Sequence, residues 1–73
     1  MKITLENILK GLVPNALVKI EIKGKKEQIN SRAGLLLKVL NADFLQKIPC
    51  DWQETEFFYE MLTILTVEDD VSK

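Results

Sequence analysis

The hydrophobic pattern begins with a helical repeat. Apolar residues recur at intervals of three and four, with polar residues on the opposite side: Leu5, Ile8, Leu9 and Leu12. This spacing is typical of an amphipathic helix and predicts one over residues 5–11. Thr4 is placed to cap its first N–H groups, and Gly11 followed by Pro14 predicts its end.

From Leu17 onward the period changes to two. Apolar and charged residues alternate along this segment: Val18, Ile20 and Ile22 against Lys19, Glu21 and Lys23. The alternation predicts a strand with one buried face. Gly24 then predicts a turn, and residues 27–30 predict a short, polar second strand at a sheet edge, where charge discourages unwanted pairing.

A second helix is expected next, capped by Asn30 or Ser31 and running to about Leu40. Asn41 suits the left-handed residue that often follows a helix. Residues 42–45 predict a loop or a short helical turn.

The last third of the chain predicts two strands of unequal strength. Residues 48–52 form the weaker one, because Pro49 lacks a backbone donor. Residues 57–67 carry apolar groups on both faces, which is typical of a central strand or of one whose second face is also covered. The expected order is therefore α-β-β-α-β-β in one α+β domain over residues 1–73, with residues 68–73 as a solvated acidic tail. We expect a mainly antiparallel sheet with both helices on one face.

Composition indicates an ordinary folded protein, since 47% of the 73 residues are hydrophobic and 29% are charged. Cys50 is the only cysteine, so no internal disulfide can form and a reducing compartment is expected. The first residues lack a long apolar run, and no apolar cluster approaches the length of a membrane span. These features predict a cytoplasmic protein that makes no membrane contact.

The residue types needed for common enzyme chemistry are missing. With no histidine and one cysteine, the chain cannot build a Ser-His-Asp triad or a usual zinc site, and its three glycines are isolated. Asp51, Glu54 and Glu56 lie close in sequence without a motif spacing, so a solvated turn is favoured over an acid–base site. Cys50 has no nearby cation to activate it and is interpreted as a buried or half-buried structural residue. We therefore expect neither an enzyme nor a metal or cofactor site.

Charge is divided unevenly along the chain. Residues 1–38 carry eight basic and three acidic residues, a net charge of +5, whereas residues 39–73 carry two basic and eight acidic residues, a net charge of −6. One interpretation is a nucleic-acid contact through a basic hairpin: Lys19, Lys23, Lys25 and Lys26. A second, which we favour, is that two neighbouring hairpins pair their opposite charges within one sheet. A third is complementary association with another copy or another charged partner.

Large apolar residues in the closing segment predict an interface. Helices can cover only one face of the sheet, so the other face would expose a patch of the size that usually marks a contact surface. We predict a homodimer through this sheet. The residues expected there are Trp52, Phe57, Tyr59, Met61 and Leu65, although Trp52 is also a candidate core residue.

The combined pattern resembles a group of known proteins. A capped short helix, the strand that begins at Leu17, a turn at Gly24, a leucine-rich second helix and a closing strand that ends in acids are similar to small α+β proteins of unknown function. Those proteins are encoded by phages, prophages and mobile elements of Gram-positive bacteria. Our first hypothesis for the function is a non-catalytic interaction or accessory protein from such a phage or mobile element, and the alternative hypothesis is a small nucleic-acid-binding module that uses the hairpin around residues 19–26.

Overall fold

A computed structural model describes residues 3–68 of the chain and contains three helices and four strands. Their order is α-β-β-α-α-β-β. The elements are α1 (Leu5–Gly11), β1 (Leu17–Lys23), β2 (Gln28–Arg32), α2 (Ala33–Val39), α3 (Ala42–Leu45), β3 (Asp51–Phe57) and β4 (Glu60–Glu68). The α+β class is confirmed, and the expected α-β-β-α-β-β order is wrong by one short helix. Beyond Glu68, the expected acidic tail lies outside the described residues.

The four strands form one sheet in the order β2-β1-β4-β3. β1 and β2 form an antiparallel hairpin, and so do β3 and β4. The two hairpins join through a parallel pairing of β1 with β4, in which Val18 lies opposite Thr63 and Ile20 opposite Leu65. The sheet is thus mixed, with a parallel pair at its centre, because the chain returns through α2 and α3 before the second hairpin begins.

The hydrophobic core lies on one face of the central strands. Val18 and Ile20 of β1 and Leu65 and Val67 of β4 are almost fully buried, as is Leu36 of α2. The other buried apolar side chains are Leu5, Ile8, Leu9, Ala33 and Leu45, with Leu5, Ile8 and Leu9 on α1. The period of two in each strand therefore separates a face covered by helices from a face that the helices leave open.

The first helix confirms the prediction from sequence. It spans Leu5–Gly11, and the Thr4 side chain accepts a hydrogen bond from the backbone N–H of Asn7 at 3.3 Å. Glu6 lies 3.2 Å from the Lys10 ammonium and accepts a 2.8 Å hydrogen bond from Gln46. The hydrogen bond from Lys10, followed by that from Gln46, lowers the pKa of the Glu6 carboxyl below its usual range.

The second helix begins later than expected, because β2 continues through Arg32 and no side chain caps the helix. Backbone N–H groups at its start donate instead to the segment that precedes β1: Ala33 to Ala16 and Gly34 to Pro14, each at 2.9 Å. A Cβ atom at Gly34 would lie 3.1 Å from Cβ of Pro14. Glycine therefore allows this close approach between the start of α2 and the loop after α1.

Asn41 does not terminate α2 in the left-handed conformation. Its backbone is extended, and its side chain accepts a 2.8 Å hydrogen bond from the N–H of Phe44. Asn41 therefore caps α3, the short helix that sequence analysis left open as a loop or helical turn over residues 42–45.

The predicted closing strand over residues 57–67 is interrupted. A two-residue turn at Phe58 and Tyr59 connects β3 to β4, with Phe57 paired opposite Glu60. β4 lies between β1 and β3, so the expectation of a central strand in this segment is confirmed. Across residues 3–68, no helix is both long enough and apolar enough to cross a membrane.

Candidate functional site

The largest exposed apolar side chains gather where β3 turns into β4. Tyr59 is 96% exposed and Phe58 78%, while Met61 and Phe57 are 59% and 50% exposed. We call these four residues the aromatic tip. Exposed apolar groups that lie together, rather than singly, are typical of an interaction surface.

The turn within the aromatic tip has an unfavourable backbone. Phe58 has a φ of 50° and Tyr59 a φ of 66°, and among the described residues these are the only non-glycine residues with positive φ. Two positive φ angles are what the type I′ hairpin turn requires, and that turn is usually made from Asn-Gly. Each bulky residue in this conformation costs about 1–2 kcal/mol.

Local contacts hold the aromatic tip in place. The rings of Phe57 and Phe58 meet edge to face with centroids 4.5 Å apart, which offsets about 1 kcal/mol of the backbone cost. The guanidinium of Arg32 lies 2.9 Å from the Glu60 carboxylate and also donates to the carbonyl of Asn15 at 2.8 Å. Arg32 therefore connects the first residue of β4 to β2 and to the loop before β1.

Trp52 lies near the other end of β3. It is 47% exposed and lines a shallow cavity of about 360 Å³ between α1 and the start of β3. The other lining residues are Ile3, Ile8, Ile48, Pro49, Cys50 and Asp51. Trp52 is therefore only partly buried, and it does not share one patch with the aromatic tip.

Leu65 is not part of any exposed surface. It is 0% exposed, because alternate residues of β4 face the helices and Leu65 packs within the core. The structure thus places four of the five expected interface residues at the surface and assigns Leu65 to the core. The closing segment therefore has no continuous exposed apolar face, because the helices cover the face of β4 that carries Leu65.

The four basic residues of the expected nucleic-acid surface lie along β1 and in the turn after it. Lys19 lies 3.7 Å from Glu21, and Lys23 is registered opposite Glu68 across the parallel pair. Lys25 and Lys26 occupy the β1–β2 turn, where Gly24 has a φ of 84°. Acidic residues thus stand beside two of the four lysines.

Phe57 and Lys19 line the same groove on the open face of the sheet. The groove has a volume of about 460 Å³. Its other lining residues are Leu17, Val18, Gln28, Asn30, Ser31, Arg32 and Leu62. The fold therefore supplies an aromatic ring near the basic half of the chain, which no spacing within the sequence indicates.

The carboxylates that sequence analysis considered for catalysis do not converge. Asp51 accepts hydrogen bonds from the Trp52 backbone N–H at 2.9 Å and from the Gln53 side chain at 3.0 Å. Strand alternation places Glu54 and Glu56 on the opposite face of β3 from Asp51. Over residues 3–68, no three His, Cys, Asp or Glu side chains are grouped so that they could hold a metal ion. Cys50 is exposed rather than buried.

Comparison with known proteins identifies no relative: no protein-family model, curated protein or solved structure matches the chain.

Phe58 is the residue of the aromatic tip that sequence analysis assigned to no site. No local signal marked it, because the run Phe57-Phe58-Tyr59-Glu60 contains no glycine or asparagine to indicate a turn. In a continuous strand, the side chain of Phe58 would point to the opposite face from those of Phe57 and Tyr59. In the turn, it is exposed beside them.

Replacing Phe58 and Tyr59 by asparagine and glycine should stabilise the fold. Asn-Gly adopts the required positive φ angles without strain, so we expect the free energy of unfolding to rise by about 1–2 kcal/mol despite loss of the ring contact. Urea denaturation followed by circular dichroism measures the change. A less stable variant would show that the aromatic residues serve the fold.

Proposed function

We propose that this chain is a non-catalytic interaction protein that binds a partner protein through the aromatic tip. The observation that carries the proposal is the conjunction of exposure and backbone strain at Phe58 and Tyr59. A hairpin turn serving only the fold gains stability from Asn-Gly, whereas large exposed aromatic side chains are the residues that anchor protein interfaces. The cytoplasmic setting and the phage or mobile-element origin expected from the sequence remain predictions.

The geometry of the hairpin supports this proposal. β3 is exposed along its full length and the aromatic tip lies at its end, so a partner can reach the tip from several sides. The ion pair between Arg32 and Glu60 fixes the base of the tip against β2. A preordered tip loses less conformational freedom on binding than a mobile loop would.

The homodimer predicted from sequence is a second form of the same proposal. In this form the aromatic tip replaces Leu65, which is buried and cannot contact a second copy. Sedimentation at micromolar concentration distinguishes the two forms. A species of 8.4 kDa leaves the tip available to another protein, and a species of twice that mass that Tyr59→Glu dissociates assigns the tip to a second copy.

The binding test uses the double variant Phe58→Asn with Tyr59→Gly. We expect it to fold at least as well as the wild type and to bind a partner isolated from the native host at least about tenfold more weakly, since loss of an interface anchor costs about 2 kcal/mol or more. Calorimetric titration of the purified partner measures both affinities. Val39→Ser is the matched control, because Val39 is 62% exposed but lies on α2. Equal affinity of the double variant and the wild type would contradict the proposal.

A small nucleic-acid-binding module is the second candidate function. The groove on the open face favours it, because Phe57 can stack on a base while Lys19 and Arg32 lie within reach of phosphates. The pairing of Lys19 with Glu21 and of Arg32 with Glu60 weighs against it, since those cations already have acidic neighbours. This candidate therefore ranks below the partner protein.

Single-stranded oligonucleotides provide the test of this second function. If the groove binds them, Lys19→Gln should weaken binding and lower the salt slope by about 0.7, the value for one lost phosphate contact on a single strand. The triple change of Lys23, Lys25 and Lys26 to glutamine should lower it further, whereas Lys10→Gln on α1 should have no effect. Fluorescence anisotropy at low salt measures these affinities. No binding of DNA or RNA by the wild type excludes this function.

A further inference from the structure

β3 forms an edge of the sheet, and residues 3–68 leave that edge uncovered. The strand order ends at β3, and within residues 3–68 no further strand lies beyond it. All seven of its residues are exposed, and none is proline. An edge strand of this length presents unpaired backbone groups to which another chain can add as a strand.

The hydrogen-bonding pattern identifies which groups point outward. Phe57 and Glu60 flank the two-residue turn, so alternate residues back from Phe57 exchange ladder bonds with β4. The intervening residues Trp52, Glu54 and Glu56 therefore direct their N–H and C=O groups to the edge. The Trp52 N–H is bonded to Asp51 Oδ1 at 2.9 Å, so Glu54 and Glu56 provide the available donors.

Charge defines the chemistry of the added strand. No lysine or arginine occurs between residues 48 and 68, while Asp51, Glu54, Glu56 and Glu60 are acidic. Two copies of β3 paired around a two-fold axis would bring Glu54 and Glu56 near their own counterparts, and like charges across a strand pair are destabilising. A basic strand meets these carboxylates with opposite charge, so charge complementarity favours it over a second copy.

The cavity beside Trp52 favours a particular type of side chain in the added strand. Trp52, Glu54 and Glu56 share the face of β3 that turns toward the helices, and the cavity of about 360 Å³ opens at the Trp52 end. Strand addition commonly gains specificity when alternate side chains of the added strand enter such pockets. An apolar side chain opposite Trp52 would reach the mostly apolar lining of this cavity.

We propose that β3 accepts an extended, basic segment of a partner protein as a fifth strand. Lysine or arginine side chains of that segment lie against Glu54 and Glu56, and an apolar side chain two residues beyond enters the cavity beside Trp52. This inference rests on the proposed function as an interaction protein, and it adds a second contact region to the aromatic tip.

Capped peptides that alternate with threonine provide a direct probe. The peptide TKTKTLT, paired antiparallel to β3, places its lysines opposite Glu56 and Glu54 and its leucine opposite Trp52. Titration into the isotopically labelled full chain at low salt, followed by amide NMR shifts, should show saturable changes at Glu54 and Glu56. The charge-reversed peptide TETETLT should bind at least about tenfold more weakly, and TKTKTST about threefold to tenfold more weakly through loss of the apolar side chain.

Two substitutions at one position separate strand addition from charge attraction. Glu54→Pro removes an outward N–H while leaving the ladder with β4 intact, because proline is tolerated where the N–H of an edge strand faces solvent. We expect it to lose peptide binding altogether. Glu54→Gln retains the N–H and should weaken binding only about twofold to fivefold, with a smaller salt dependence. Circular dichroism confirms that each variant folds.

Three outcomes would overturn the inference. They are no saturable binding of TKTKTLT at millimolar concentration, equal binding of TETETLT, and unchanged binding by Glu54→Pro. Concentration-dependent shifts at Glu54 and Glu56 without peptide would assign the edge to a second copy instead. Failure of the proposed function is seen separately, because the change at Phe58 and Tyr59 affects partner affinity and leaves the β3 edge in place.

Discussion

The parallel pairing of β1 with β4 joins two hairpins into one sheet, and the positions of both candidate surfaces follow from it. Ile20 lies opposite Leu65 in this pair, and both side chains are fully buried beneath the helices. With β1 and β4 at the centre, the other strand of each hairpin is placed at an edge. The aromatic tip and the open edge of β3 thus share a hairpin of which only β4 contributes to the core.

The same pairing explains the division of charge along the chain. The basic hairpin and the acidic hairpin lie side by side, so Lys23 stands beside Glu68 and Arg32 reaches Glu60 at 2.9 Å. The contact between Arg32 and Glu60 supports the interpretation that opposite charges pair within the sheet. Exposed pairs of this kind contribute about 0–1 kcal/mol each, so their effect on stability is small. The carboxylates of β3, farthest from the basic hairpin, remain as the acidic surface available to a partner.

The elements whose signals are local were predictable from the sequence. The helical repeat with Thr4 as cap gave α1, and the alternation after Leu17 gave β1, because each pattern depends on neighbouring residues alone. The turn at Phe58 and Tyr59 was missed because its residues contradict turn chemistry. The parallel pair was missed because the pattern of a strand does not specify its partner or direction.

The residues of the candidate site also fall into those that local sequence patterns predicted and those that they did not. Exposure of Tyr59 and Met61 was anticipated from an excess of apolar residues in the closing segment. Leu65 was misplaced because a period of two does not specify which face of the strand the helices cover. The groove that joins Phe57 to Lys19 depends on strand order, to which no local pattern is sensitive. Functional surfaces on this fold are thus less predictable than its helices, since they combine residues from both hairpins.

Amide hydrogen exchange of the purified chain tests most directly whether the outer edge of β3 is open to a partner strand. We expect rapid exchange at Glu54 and Glu56, whose N–H groups face solvent, and strong protection at Ile20 and Leu65 in the central strands. Equal protection at all four amides would show that the β3 edge is already covered within the free protein, and would contradict its role as the acceptor of a partner strand.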